Sequence, residues 1–199
     1  MIYMILSIAS VLVVPGPTNT LLLISGTTRG VRRSVHMIGV ELIGYCIAIS
    51  IWGTYLNIAS ASNPWIPHVV KFLCAVYIGY LALKFWRETV PALETIPRTA
   101  RPVDLFFATL LNPKGLIFAS VIFPPSTFTE LKGFAQSLSL FACLAIPIGM
   151  GWICLGASLA SSKYAWLHPR ALHRGAAVVL SIFCALLGWN VVHGFLLWT

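Results

Sequence analysis

Residues Val13 to Thr20 read VVPGPTNT, and the apolar run LLLIS follows directly. Proline removes a backbone donor and its ring clashes with the preceding turn. The strongest helix breakers of this chain therefore stand in the middle of one of its most apolar segments. A break of this kind demands a reason, because in lipid each freed carbonyl must find a partner inside the protein or against a wet cavity.

The solvent is lipid by composition. Of 199 residues, 58% are hydrophobic and 9% are charged, against about 25% charged in a soluble domain. So few charges cannot cover a water-facing surface, and the chain reads as one integral membrane domain. The net charge of +8 falls in short clusters between apolar runs, a pattern that sets membrane orientation. There is no basic stripe with interleaved aromatics, so nucleic acid is not an expected partner; membrane lipid is. Cys46, Cys74, Cys143, Cys154 and Cys184 each lie in an apolar run without C-x-x-C spacing, and read as buried small hydrophobes. His168 and His173 flank Pro169 in a basic loop, a solvated or headgroup-level position. No metal and no cofactor is expected. The opening MIYMILSIAS has no Lys or Arg, so residues 1–27 read as a retained membrane segment and not a cleaved leader.

A membrane helix needs about 20 mostly apolar residues. Six segments qualify: about Tyr3–Thr27, Ser34–Ala59, Val69–Trp86, Asp104–Phe123, Phe134–Ala160 and Ala176–Trp198. Arg29, Arg32 and Arg33 lie in the first loop, Arg87, Arg98 and Arg101 in the third, Lys163, Arg170 and Arg174 in the fifth. The second and fourth loops are nearly free of basic residues, with Lys71 after the one and Lys132 in the other. Cytoplasmic loops are the Lys/Arg-rich ones, so both termini are expected outside the cytoplasm, in a multi-pass protein of the inner (plasma) membrane. The long third loop holds Pro91, Pro97 and Pro102 and divides the domain: a first repeat at about 1–88, a loop at about 89–103, a second repeat at about 104–199. Each half has an odd number of spans, so the second enters from the opposite side, a common transporter plan. The expected fold is an all-α integral membrane protein of six transmembrane helices, built as two inverted three-helix repeats with helices 1 and 4 broken at proline motifs.

The second break is Asn112-Pro113-Lys114-Gly115, within LLNPKGLIF. At about 1.5 Å per residue, Gly16 lies about 16–18 Å from the cytoplasmic end of its span and Pro113 about 14 Å from that of its own. In a hydrocarbon core about 30 Å thick, both sit near the midplane. Broken half-helices offer amides at one end and carbonyls at the other, which suits a zwitterion. Two ordinary proline kinks are the bland alternative; matching positions in the two halves favour the site over it. Glu41 is the acid inside a span, about 10 Å deep, where a charge costs about 2.5–3.5 kcal/mol. It reads either as a site for a substrate ammonium or proton, or as a structural group. Lys114 is the deepest cation, placed to neutralise Glu41, to meet a substrate carboxylate or to cap freed carbonyls. Thr18, Asn19 and Asn112 are placed to satisfy freed backbone or a ligand, with the backbone role expected of Thr18 and Asn19. Gly26, Gly30, Gly39 and Gly44 read as packing positions. Tyr77, Trp52 and Trp152 read as core or interface belt. G-x-S-x-G, H-E-x-x-H and Walker A motifs are absent, so the chain does not read as an enzyme or an ATP-driven pump.

Together, PGPTNTLLLISGTTRGVRRS, VKFLCAVYIGYLALKFWR, FFATLLNPKGLIFASVIFP and RALHRGAAVVL resemble, in that order and over nearly the whole chain, the LysE/RhtB family of amino-acid exporters. The resemblance implies export of amino acids or close derivatives from the cytoplasm, coupled to the proton gradient. It makes Pro15, Gly16, Pro17, Asn112, Pro113 and Lys114 the leading site residues; Thr18, Asn19 and Glu41 join them on their chemistry. The expected mechanism is alternating access, two halves rocking about a midplane site. A non-transporting subunit or receptor and a passive channel are the alternatives on the same scaffold. The substrate's identity and homo-oligomer formation are left open by the sequence.

Overall fold

A computed structural model describes residues 2–87 and 100–160, with isolated positions at 178, 181, 182, 184 and 185. Every regular element among the described residues is helical. The chain runs as α1 (Ile2–Val13), α2 (Pro17–Ser34), α3 (His36–Ser62), α4 (Ile66–Arg87), α5 (Pro102–Leu110), α6 (Pro113–Ile117) and α7 (Leu131–Ala160). A π-helical turn, Phe118–Ile122, continues α6, and a 3-10 turn, Pro125–Phe128, precedes α7.

Three helices are long and apolar enough to cross a membrane: His36–Ser62, Ile66–Lys84 and Leu131–Ala160. Two bent pairs pass the same test when each is taken as one broken span, which makes up to 5 spans among the described residues. Their ends differ from the sequence-based bounds by a few residues. The sixth expected span, Ala176–Trp198, lies outside the described residues but for those isolated positions; most of the third loop and all of the fifth, with His168, His173 and the RALHRG motif, lie outside them.

Both breaks form where local chemistry ends one helix and starts another. Pro15 and Pro17 lack the amides that would serve the carbonyls of Val11 and Val13, so α1 stops at Val13. Gly16 takes the N-cap of α2 in extended backbone, and Pro17 takes the first helical position, where a missing amide costs nothing. The axis turns by 61°. In the second break Asn112 is the N-cap of α6, its side chain accepting from Lys114 N at 3.0 Å, with Pro113 behind it. Asn followed by Pro is a complete helix start in two residues. That axis turns by 42°. The π turn beyond is closed by Phe123 N donating to Phe118 O at 2.9 Å; such turns recur at functional sites.

Close helix approach fixes how the spans meet. The most extensive contact is α2 on α7. A Cβ on Gly26 would overlap the carbonyl oxygen of Ile153, and one on Gly156 would overlap that of Leu23. Two glycines thus face each other's backbone across one seam, where small residues admit closer packing. Thr27 Oγ1 also donates to Gly156 O at 3.2 Å. Gly44 brings α3 onto Thr109 of α5, and Gly115 brings α6 onto Ala48. The main core gathers Tyr45, Phe118 and Phe141, whose rings meet edge-on at 5.0–5.7 Å between centroids.

Three readings of the sequence need correction. A Cβ added to Gly39 would meet nothing within 4 Å among the described residues, so packing does not explain that glycine. Gly30 has φ +72°, a left-handed conformation that glycine adopts freely, and it kinks the chain inside α2, near the end of that helix, instead of packing. Of the five cysteines only Cys74 is buried; Cys46 and Cys184 are intermediate, and Cys143 and Cys154 are exposed on α7 and so are not core residues.

Gly156→Leu is expected to lower stability in detergent by about 1–3 kcal/mol or more, because the opposing atoms are backbone and cannot repack. Gly39→Ala is expected to stay within about 0.5 kcal/mol. Thermal melts of the two variants check the difference; equal midpoints would remove the seam from the account.

Candidate functional site

The breaks meet at one atom. The carbonyl oxygen of Val14, freed by the first break, accepts from Lys114 Nζ at 2.7 Å. Lys114 belongs to the second break, 100 residues away. The same oxygen accepts from Asn19 Nδ2 at 2.8 Å, and that amide also donates to Leu12 O at 2.8 Å. Asn19 therefore repairs its own break from within the first turn of α2, and Lys114 completes the repair from the other half of the chain.

Tyr45 joins the breaks a second time. Its hydroxyl lies 3.4 Å from Thr18 Oγ1, at the start of α2, and accepts from Asn112 Nδ2 at 3.3 Å. The tyrosine is fully buried, with its ring held by Phe118 and Phe141. One turn earlier on α3, Glu41 is 2% exposed. Its carboxyl lies over Gly149 of α7, where an added Cβ would stand 3.2 Å from Oε2, and shares this buried region with Thr18 and Lys114. Acid and lysine act on each other through space, while the lysine's hydrogen bond goes to Val14. A lone buried charge costs several kcal/mol; here each opposite charge lessens that cost for the other without cancelling it. Three elements, α2, α3 and α6, thus supply one polar cluster in an apolar bundle, with Gly149 of α7 closing over it.

The sequence-based candidates divide into two groups. Thr18, Asn19, Glu41, Asn112 and Lys114 come together, all buried. Pro15 and Gly16 are half-buried at the edge of this group, and a Cβ on Gly16 would lie 3.5 Å from Lys114 Cε and Nζ. Pro17 and Pro113 are exposed; they shape the breaks without joining the cluster. Asn19 has the backbone role expected of it, whereas Thr18 turns to side chains instead. Tyr45 and Gly149 were missed. Tyr45 follows Glu41 by one helical turn and so shares its face, which was a usable signal. Gly149 carried none. Among the described residues no group of three His, Cys, Asp or Glu side chains converges to hold a metal.

These features define a class: a helical, multi-pass membrane protein whose two broken spans are tied together by a buried acid, lysine and tyrosine. Residues 9–194 match the family described as LysE type translocator, and the chain belongs to that family. It is 26% identical over 181 residues to the homoserine/homoserine lactone efflux protein of Salmonella typhimurium (strain LT2), with 86% of each chain covered. It is 22% identical over 174 residues to the cysteine/O-acetylserine efflux protein of the same organism, covering 86% of this chain and 88% of the relative. No solved structure matches the chain significantly.

Asn19→Ala is expected to cost about 2–5 kcal/mol, since Leu12 O loses its side-chain donor and Val14 O keeps Lys114 alone; a buried unmade bond costs about 1–3 kcal/mol. Tyr45→Phe, which deletes only the hydroxyl, is expected to cost about 1 kcal/mol. Denaturation midpoints of both variants in detergent check the order; a reversal would show that the first break is not held by Asn19.

Proposed function

We propose that the protein exports amino acids or small amino-acid derivatives from the cytoplasm, as a secondary transporter of the inner membrane. The observation that carries this reading is the bond from Lys114 Nζ to Val14 O, which brings the two breaks to one buried place with Glu41 beside them. An amino acid carries one carboxylate and one ammonium, and the cluster carries one group of opposite charge for each. A zwitterion entering here exchanges charges with the pair: its carboxylate takes Lys114 and the free amides at the start of α2, and its ammonium takes Glu41. Gly16 leaves the lysine ammonium uncovered on that side. Membership in a translocator family, and relatives named for efflux of homoserine, cysteine and O-acetylserine, support the substrate class.

The cluster is closed, so loading requires movement, and the breaks are the natural bending points. The proposed cycle is alternating access in two inverted repeats, both termini outside the cytoplasm. A proton moves inward on Glu41 as substrate moves outward. The carboxyl exchanges its ammonium partner for a proton, so Glu41 is not left charged and unpartnered when the substrate leaves.

In proteoliposomes loaded with homoserine, efflux is expected to saturate and to rise as the outer pH falls below the inner. Glu41→Gln is expected to abolish that pH dependence, and Pro15→Ala with Pro17→Ala to abolish efflux while leaving membrane insertion intact. Full, pH-stimulated efflux from Glu41→Gln would overturn the coupling role; unchanged efflux from the proline variant would overturn the broken-span site.

A further inference from the structure

A cavity with mostly apolar walls and four polar side chains lies away from the central cluster. It measures about 60 Å³, and its walls include Asn57 and Ser60 of α3, Lys71 of α4, Ser120 of the π turn, and Phe123 and Phe128. Along α3, Asn57 is about 18 Å beyond Tyr45. Along the second broken span the order is Lys114 in the central cluster, Phe118 in the ring triad and Ser120 in this wall, so the triad of Tyr45, Phe118 and Phe141 separates the two places. Phe128 closes one side, its ring lying flat where a Cβ on Gly53 would be. The cavity sits at the ends of helices joined by the second and fourth loops, the side poor in Lys and Arg.

Its polar groups are complementary to an amino-acid head. Lys71 is half-buried about one and a half turns into α4, and a cation within a span that faces a cavity marks a functional position by default. Neither its ammonium nor the side-chain amide of Asn57 has a hydrogen bond among the described residues. Both are donors, as a carboxylate requires. The two hydroxyls have spent their protons: Ser60 Oγ donates to Asn57 O at 2.8 Å and Ser120 Oγ to Leu116 O at 2.7 Å. What they offer the cavity is lone pairs, as an ammonium requires, although Ser120 Oγ shares one with Cys74 Sγ at 3.6 Å. A single water needs about 10–15 Å³ of such space, so the room suits the head common to all α-amino acids and no large side chain.

We propose that this cavity is an exit-side site for the exported amino acid, with Lys71 and Asn57 holding its carboxylate and the oxygens of Ser60 and Ser120 its ammonium. It rests on the export reading above. The site reads the shared head group, not the side chain, and it receives substrate once the ring triad has opened.

The test is inhibition of efflux from outside. Vesicles are loaded with labelled homoserine, and unlabelled homoserine or 3-aminopropanol, which lacks the carboxylate, is added externally. For wild type, external homoserine is expected to inhibit and 3-aminopropanol not to. Lys71→Met is expected to raise the half-inhibitory external concentration about tenfold, the loss of one charged hydrogen bond, with internal half-saturation within about twofold of wild type. Lys71→Arg is expected to restore inhibition. If Lys71→Met does not insert, Asn57→Leu reads the same shift. An unchanged external half-inhibition in a variant that exports, or an equal shift on both sides, would overturn the exit site and leave the export reading standing. Wild-type vesicles that export no homoserine, cysteine or O-acetylserine would overturn the export reading itself, and this site with it. Repeating the series in phosphatidylcholine with and without phosphatidylglycerol separates the carboxylate from a lipid phosphate: equal inhibition in both supports the site, and a Lys71 effect confined to the anionic vesicles assigns the lysine to lipid and overturns the site.

Discussion

The carbonyl of Val14 must be satisfied where water is scarce, and the structure is arranged around that need. Pro15 and Pro17 remove two amide donors in succession. Asn19, five residues on, reaches back to Val14 O and Leu12 O. The other donor to Val14 O arrives from the second break. An unpaired carbonyl in this setting costs about 1–3 kcal/mol, and a buried ammonium without partners costs several. Each group removes the other's penalty. The first break is therefore held both by Asn19 from within and by the second break folded against it, and that meeting brings a cation toward Glu41.

The breaks themselves were legible because their cause is local. Proline and glycine act on the residues beside them, and Asn112-Pro113 writes a cap and a first helical position in two letters. Spans were legible because lipid demands long apolar runs. What a helix presents to its neighbours was not. In a soluble protein the apolar stripe marks the buried side, but in lipid both sides are apolar, and α3 and α4 carry apolar residues around their whole circumference. That is why Cys143 and Cys154 read as core yet lie exposed, and why Gly39 and Gly156 could not be told apart. Tyr45 escaped for a related reason: in an apolar run an aromatic is core by default, and its hydroxyl gains a role only once Thr18 and Asn112 are brought to it.

The polar cluster and the outer cavity differ in a way that suits their proposed tasks. In the centre, nearly every polar group is already bonded, to backbone or to another side chain, and burial is close to complete. In the outer cavity a lysine and an amide stand without partners among the described residues, and two hydroxyls present spent donors. A fully satisfied network is rigid and specific. A partly satisfied one at a half-open rim holds a ligand loosely, which is what release requires. The ring triad between them is bonded to the centre through the Tyr45 hydroxyl, so a rearrangement of Thr18 or Asn112 bears directly on the barrier.

The α2–α7 seam constrains how such a rearrangement proceeds. Gly26 and Gly156 bring the two backbones into contact, and α2 belongs to the first half of the chain while α7 belongs to the second. Rocking the halves as rigid bodies would part this seam and open voids on both sides of it, with loss of the dispersion contacts that close packing provides. Bending at the 61° break and at Gly30 leaves it intact. In the proposed cycle α2 and α7 therefore move together, and α1, hinged at Pro15–Pro17, moves relative to them. The Val14 carbonyl lies on that hinge. In that cycle a change of angle there alters the bond to Lys114, and with it the position of the cation that acts on Glu41, so the bend and the charge exchange would be one event.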